Sequence, residues 1–127
     1  MSENNWFERR PLRLEAEKII MAQKYPQFVL KMDQMGRLVW EGFLETNFGI
    51  LYLVNVLYPE AYPWEEPQPR IIEPNIRRDA PHRYPDGRLC VHPEDANPKQ
   101  YTAAEMVSMI IRWLALYEIF LRTGERW

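Results

Sequence analysis

Apolar residues recur at helical spacing near both ends of the chain and alternate at strand spacing in between. From Pro11, a residue tolerated in a first helical turn, Leu12, Ala16, Ile19, Ile20 and Gln23 recur at i, i+4, i+7, i+8 and i+11 and predict an amphipathic helix face. That helix must stop before Tyr25, because Pro26 pushes the residue ahead of it out of helical angles. In "QFVLKMD", Phe28, Leu30 and Met32 alternate with Val29 and Lys31. In "LVWEGFLE", Leu38, Trp40, Gly42 and Leu44 alternate with Val39, Glu41, Phe43 and Glu45, while "ILYLVNVL" is apolar on both faces, as a central strand is. The turns between these runs, "DQMGR" with Gly36 free to take a positive φ and "TNFG", are short, so the strands form an antiparallel meander.

The next segment, "YPEAYPWEEPQPR", is too rich in proline for a helix or an interior strand and is expected to be an extended surface loop. "RIIEP" reads as a short last strand, and from there to Thr102 the pattern is irregular, which at this length suggests a functional loop. Thr102 and Glu105 then have capping-box spacing, and Gly124 is placed to end the helix in a left-handed cap. Between them Val107, Ile110, Ile111, Leu114 and Leu121 define the buried face, with Arg112 and Glu118 elsewhere and Trp113, Tyr117 and Phe120 read as core. The order is helix, three or four antiparallel strands, long loop, helix: an α+β domain with helices on one side of a sheet.

Composition narrows the class. A chain of 127 residues, 46% hydrophobic and 27% charged, fits one folded domain over residues 1–127. A net charge of −2 argues against a domain-wide nucleic-acid footprint. Arg77, Arg78, Arg83 and Arg88 still form a local cluster that either meets an acidic partner or is a solvated loop. A single cysteine excludes an intramolecular disulfide. "MSENNWFERR" has no apolar signal core, and the longest apolar run, "GILYLVNVL", is interrupted by Asn55 and far too short to span a membrane. The expectation is a cytoplasmic protein with no membrane partner.

The chemistry-bearing residues converge on "PHRYPDGRLCVHP", which holds the only cysteine, Cys90, and both histidines, His82 and His92. Asp-Gly is a turn signal, so the thiol is expected near a surface, with the histidines as base, acid or hydrogen-bond donor and the arginines favouring the thiolate. A zinc site built on His82, Cys90 and His92, completed by Asp86, Glu94 or Asp95, is a weaker reading, since no paired-cysteine or helical two-histidine spacing is present. An inert cysteine buried as a small hydrophobe is the plain alternative. No cofactor and no metal are expected.

These residues resemble the ubiquitin-conjugating enzyme (E2) superfamily, and more closely its bacterial members. The superfamily carries a proline-aromatic signature after the third strand, of the type F-P-x-x-Y-P-F-x-P-P, here "YPEAYPWEEP" with Tyr58, Pro59, Tyr62, Pro63, Trp64 and Pro67. It then has His-Pro-Asn and, further on, N-G-x-I-C at the catalytic cysteine. "DGRLC" supplies Asp86, Gly87, Leu89 and Cys90, and counting back places Ala80, Pro81 and His82 on His-Pro-Asn. The ending "WLALYEIFLRTGERW" is similar to the bacterial branch.

The resemblance covers nearly the whole chain and implies the E2-like (UBC) fold, a transferase and a thioester on Cys90. It implies His82 as oxyanion or orienting donor in place of the asparagine, with His92 or Asp95 positioning or deprotonating the incoming amine. It further implies a stand-alone E2 of antiphage cyclic-oligonucleotide (CBASS) operons, whose partner is the C-terminus of a cGAS-like nucleotidyltransferase. The alternatives it leaves are a bacterial ubiquitin-like protein as partner, or a non-catalytic binding module like the E2 variants. No nucleotide-binding glycine loop is visible, so activation of the carboxyl group is expected from a separate activating enzyme or is bypassed.

Overall fold

In the computed structural model of the protein, residues 5–91 and 100–127 are described. Their elements are α1 (Trp6–Arg9), α2 (Pro11–Lys24), β1 (Val29–Met32), β2 (Leu38–Glu45), β3 (Leu51–Leu57), β4 (Gln68–Glu73) and α3 (Ala103–Thr123). The strands form one antiparallel sheet in the order β1-β2-β3-β4, so the expected meander and the α+β class hold. Alternation along β2 and β3 buries Leu38, Trp40, Leu44, Tyr52, Val54 and Val56. Helix α3 lies against β3, β4 and α2 and closes the core with Val107, Ile110, Trp113, Leu114, Tyr117 and Phe120. Its ends are as the sequence predicts: Thr102 and Glu105 cap each other's backbone amides, and Gly124 takes φ +75°.

Gly42 is required by close packing. A Cβ there would lie 2.8 Å from Phe28 Cγ and 3.1 Å from Phe28 Cα, so ring rotation alone does not relieve the clash. Gly42→Ala is therefore expected to destabilise the fold by about 1–3 kcal/mol through overpacking. The check is a lower urea midpoint at unchanged m-value.

Four expectations need correction. The buried stripe of α2 is not the predicted one: Leu12 is 84% exposed and Ala16, Ile19 and Gln23 are also exposed, while Glu17 and Met21 are buried, with Leu14 and Ile20 packed on the core. Helical periodicity counts apolar residues, whereas here a carboxylate is drawn inward by two buried donors. Glu118 of α3, expected on the outer face, is 1% exposed because Thr46 Oγ1 and Tyr52 OH donate to it at 2.7 and 3.1 Å, and Ile111, expected inside, is exposed. The proline-rich segment is turned rather than extended and buries Tyr58 and Tyr62, and its last residues, Gln68 to Arg70, belong to β4. Pro69 is tolerated there because β4 is an edge strand. Finally, α1 was not anticipated; it exists to bury Trp6, whose ring lies 4.8 Å from those of both Tyr58 and Tyr62.

Candidate active site

Asp86 and Gly87 turn the chain, and Gly87 takes φ +94°, a conformation open to glycine at little cost. Tyr84 N–H donates to Arg88 O at 2.8 Å, Arg83 bridges Leu89, and Cys90 N–H donates to His82 O at 2.9 Å, which makes a small hairpin. Its return strand is joined to the edge of the sheet, with Leu89 N–H donating to Pro69 O at 3.0 Å and Arg88 bridging Arg70. Along that strand Leu89 and Val91 point into the core and Cys90, between them, is half-buried. Period-two alternation thus presents the thiol outward on a segment whose neighbours are anchored.

The partner recorded at the sulfur is Tyr84, whose hydroxyl donates to Cys90 Sγ at 3.7 Å. That bond, first among the causes, holds the Tyr84 phenol above its ordinary range, so it remains a donor at neutral pH. The ring is fixed from the other side by the Arg88 guanidinium, 4.9 Å from its centroid. Arg88 is in turn held by Asp86, which accepts from Arg88 N–H at 3.0 Å and from Arg88 Nε at 2.9 Å. The backbone amide bond, first, and the guanidinium keep the Asp86 carboxyl below its ordinary range. Sequence reading missed Tyr84. The signal was the Asp-Gly turn itself: pairing residues 84 with 88 and 82 with 90 brings Tyr84 and His82 beside Cys90.

His82 is at φ +55°, uncommon for a residue with a Cβ. The surroundings hold it there: its carbonyl accepts from Cys90 N–H and from Trp113 Nε1 at 3.0 Å, tying the hairpin to α3. The ring packs on Trp127 at 5.6 Å, and Nε2 lies 2.7 Å from the Trp127 backbone oxygen. A carbonyl oxygen only accepts, so Nε2 carries the proton and spends it on Trp127. The backbone therefore brings His82 beside Cys90, while its side chain is engaged elsewhere. His92 and Asp95 lie outside the described residues. Among the described residues no three histidine, cysteine, aspartate or glutamate side chains gather as a metal site.

Behind the hairpin, Glu17 Oε1 accepts from Tyr58 OH at 2.6 Å and from Ala103 N–H at 2.9 Å, joining α2, the proline-rich segment and the first turn of α3. Tyr62 OH donates to Tyr101 O at 3.0 Å and accepts from Arg13 Nη2 at 3.1 Å. Burial, first, and the Glu17 carboxylate hold both phenols far above their ordinary range. These bonds fix the frame that carries the active-site segment at both its ends.

Tyr84→Phe removes the hydroxyl at the thiol and little else, since Tyr84 is 39% exposed. It is expected to slow formation of any covalent adduct at Cys90 by about tenfold, equivalent to roughly 1.4 kcal/mol. Stability should stay within about 0.5 kcal/mol of wild type. Single-turnover rates and urea unfolding on the same samples check both.

A four-stranded antiparallel meander with helices at both ends of the chain is the architecture of the E2-like fold. A solved structure, the ubiquitin conjugating enzyme E2 from Plasmodium falciparum, matches with a TM-score of 0.55 over 81% of this chain and 96% of that chain, at 20% identity. That likeness concerns the fold. A search of curated proteins found no match. The family model E2-CBASS, described as type II CBASS E2 protein, matches residues 17–127. The chain belongs to this family, and its role is an E2-like one in CBASS. No helix among the described residues is long and apolar enough to cross a membrane.

Proposed function

We propose that Cys90 accepts the C-terminal carboxyl group of a partner protein as a thioester and passes it on, the partner being a cGAS-like nucleotidyltransferase and the setting cytoplasmic antiphage defence. The Cys90 thiolate attacks the carbonyl of an activated C-terminus, supplied by a separate activating enzyme or already activated on the partner. The activating group leaves and a C–S bond remains. An acceptor amine, hydroxyl or thiol then attacks the same carbonyl, the C–S bond breaks, and the thiolate is released with the acceptor's proton passing to a base. Sulfur suits both steps, being a strong nucleophile and a good leaving group.

The observation that carries this reading is the placement of Cys90, half-buried at the end of a hairpin with Tyr84 OH at its sulfur, in a chain of the E2-CBASS family. His82 is the candidate donor to the oxyanion, a role worth about 3 kcal/mol where such donors have been removed in other enzymes. To fill it, the ring swings its Nε2–H away from the Trp127 oxygen and toward the thioester carbonyl. His92 and Asp95 are the candidates for orienting or deprotonating the acceptor.

The test is a thioester trap. The chain is co-expressed with the proteins encoded beside it, and non-reducing gels with intact mass are run on wild type and Cys90→Ser. A thiol-sensitive wild-type adduct is expected, of a mass equal to the nucleotidyltransferase plus this chain less one water. An adduct of this chain with a small ubiquitin-like protein would move the reading to that partner. A stable non-covalent complex without any adduct would make the chain a recognition module.

A further inference from the structure

β4, the segment after it and the active-site hairpin enclose a cavity of about 340 Å³. Arg70, Arg78 and Arg83, one from each, line it together with Asn75, Gly87 and Leu89, and no carboxylate does. Nearby cations are neutralised: Arg77 by Asp79 at 2.7 Å and Arg88 by Asp86 at 2.9 Å. The three in the cavity are in no ion pair among the described residues, although the Asp86 carboxylate that holds Arg88 also acts on Arg70 at longer range. Arg70 reaches only Gln68 Oε1 at 3.4 Å, and Arg83 only the carbonyls of Ile76 and Arg77 at 3.4 and 3.2 Å. Like charges gathered in a recess repel one another, and a protein of net charge −2 has carboxylates enough to quench them, yet none lines this recess.

Guanidinium forks match carboxylates in bidentate geometry. No aromatic ring lines the cavity, so nothing there would stack a nucleobase. Gly87 and Leu89 form part of its wall, so the cavity lies on the hairpin that carries Cys90, although Cys90 itself does not line it. We propose that this arginine-lined cavity docks an acidic peptide segment, its Asp or Glu carboxylates received by Arg70, Arg78 and Arg83, on the polypeptide brought to Cys90. The inference rests on the thioester reading for the owner of that segment, not for the binding itself.

The test is fluorescence anisotropy with a labelled Glu-Gly dodecapeptide and its Gln-Gly counterpart, on wild type, Cys90→Ala, Arg78→Gln and the triple variant Arg70→Gln/Arg78→Gln/Arg83→Gln. Arg78 and Arg83 are exposed and Arg70, though partly buried, is outside the core cluster, so these changes should leave the core intact, and thermal unfolding checks it for each sample. The acidic peptide is expected to bind wild type and Cys90→Ala alike. Its affinity should fall about tenfold with Arg78→Gln and further with the triple variant, and weaken strongly between about 0.05 and about 0.5 M salt. Equal binding of the two peptides, or indifference to the arginines, overturns the proposal. Displacement of the peptide by lower concentrations of ATP or inorganic phosphate also overturns it, assigning the cavity to a phosphate ligand. Acidic-peptide binding in a protein whose Cys90→Ser form traps no adduct would sink the thioester reading and leave the docking site standing.

Discussion

Cys90→Ala is expected to form no covalent adduct with the partner protein, and Cys90→Ser to accumulate one that resists thiols. The two substitutions leave the hairpin intact, because the bond that closes it there is between backbone atoms, Cys90 N–H and His82 O. The alanine form removes the proposed nucleophile, and turnover should fall at least about 10³-fold, as when catalytic nucleophiles are removed from other enzymes. A serine hydroxyl at the same position attacks slowly, but the resulting oxygen ester is a poor acyl donor and persists. Stability of both should remain within about 1 kcal/mol of wild type, since the side chain is only half-buried. Intact mass before and after thiol treatment distinguishes the three forms. A wild-type adduct that survives in the alanine form would place the reacting atom elsewhere.

Glu17→Ala is expected to destabilise the fold by about 2–5 kcal/mol. The carboxylate is 2% exposed and serves two donors, Tyr58 OH and the Ala103 amide, neither of which can reach water in its place. Each buried donor left without an acceptor costs about 1–3 kcal/mol. Against the 5–15 kcal/mol typical of a domain this is a large fraction. Glu17→Gln keeps an acceptor oxygen of the same reach and should lose less than half as much. Urea unfolding of the three proteins checks the order, and equal midpoints for alanine and wild type would show that the buried carboxylate is not a stabilising element.

The strands and α3 were legible because their signals are local. Alternation in "LVWEGFLE" sets which residues of β2 face the core, and Thr102, Glu105 and Gly124 mark the ends of α3 through bonds to atoms a few residues away. What periodicity could not read were side chains placed by distant partners. Glu17 and Glu118 turn inward for hydroxyls and an amide on other elements, and Trp6 is buried by tyrosines of the proline-rich segment, some fifty residues on. At the candidate site, the family motif located Cys90 and His82 in sequence. The Tyr84 hydroxyl and the Trp127 contact emerge only once the hairpin is paired.

The bond between Glu17 and the Ala103 amide spans 86 positions of the chain. Closing so long a loop costs entropy that is recovered only when the core around it has formed. The segment bearing Cys90 lies inside that loop, so its complete setting, with α2 and α3 in place behind the hairpin, is expected only after Glu17 and Ala103 have met. A partly folded molecule therefore carries the thiol without its setting. In hydrogen exchange, the Cys90 amide should acquire protection together with the first turn of α3, and after the amides of β2 and β3.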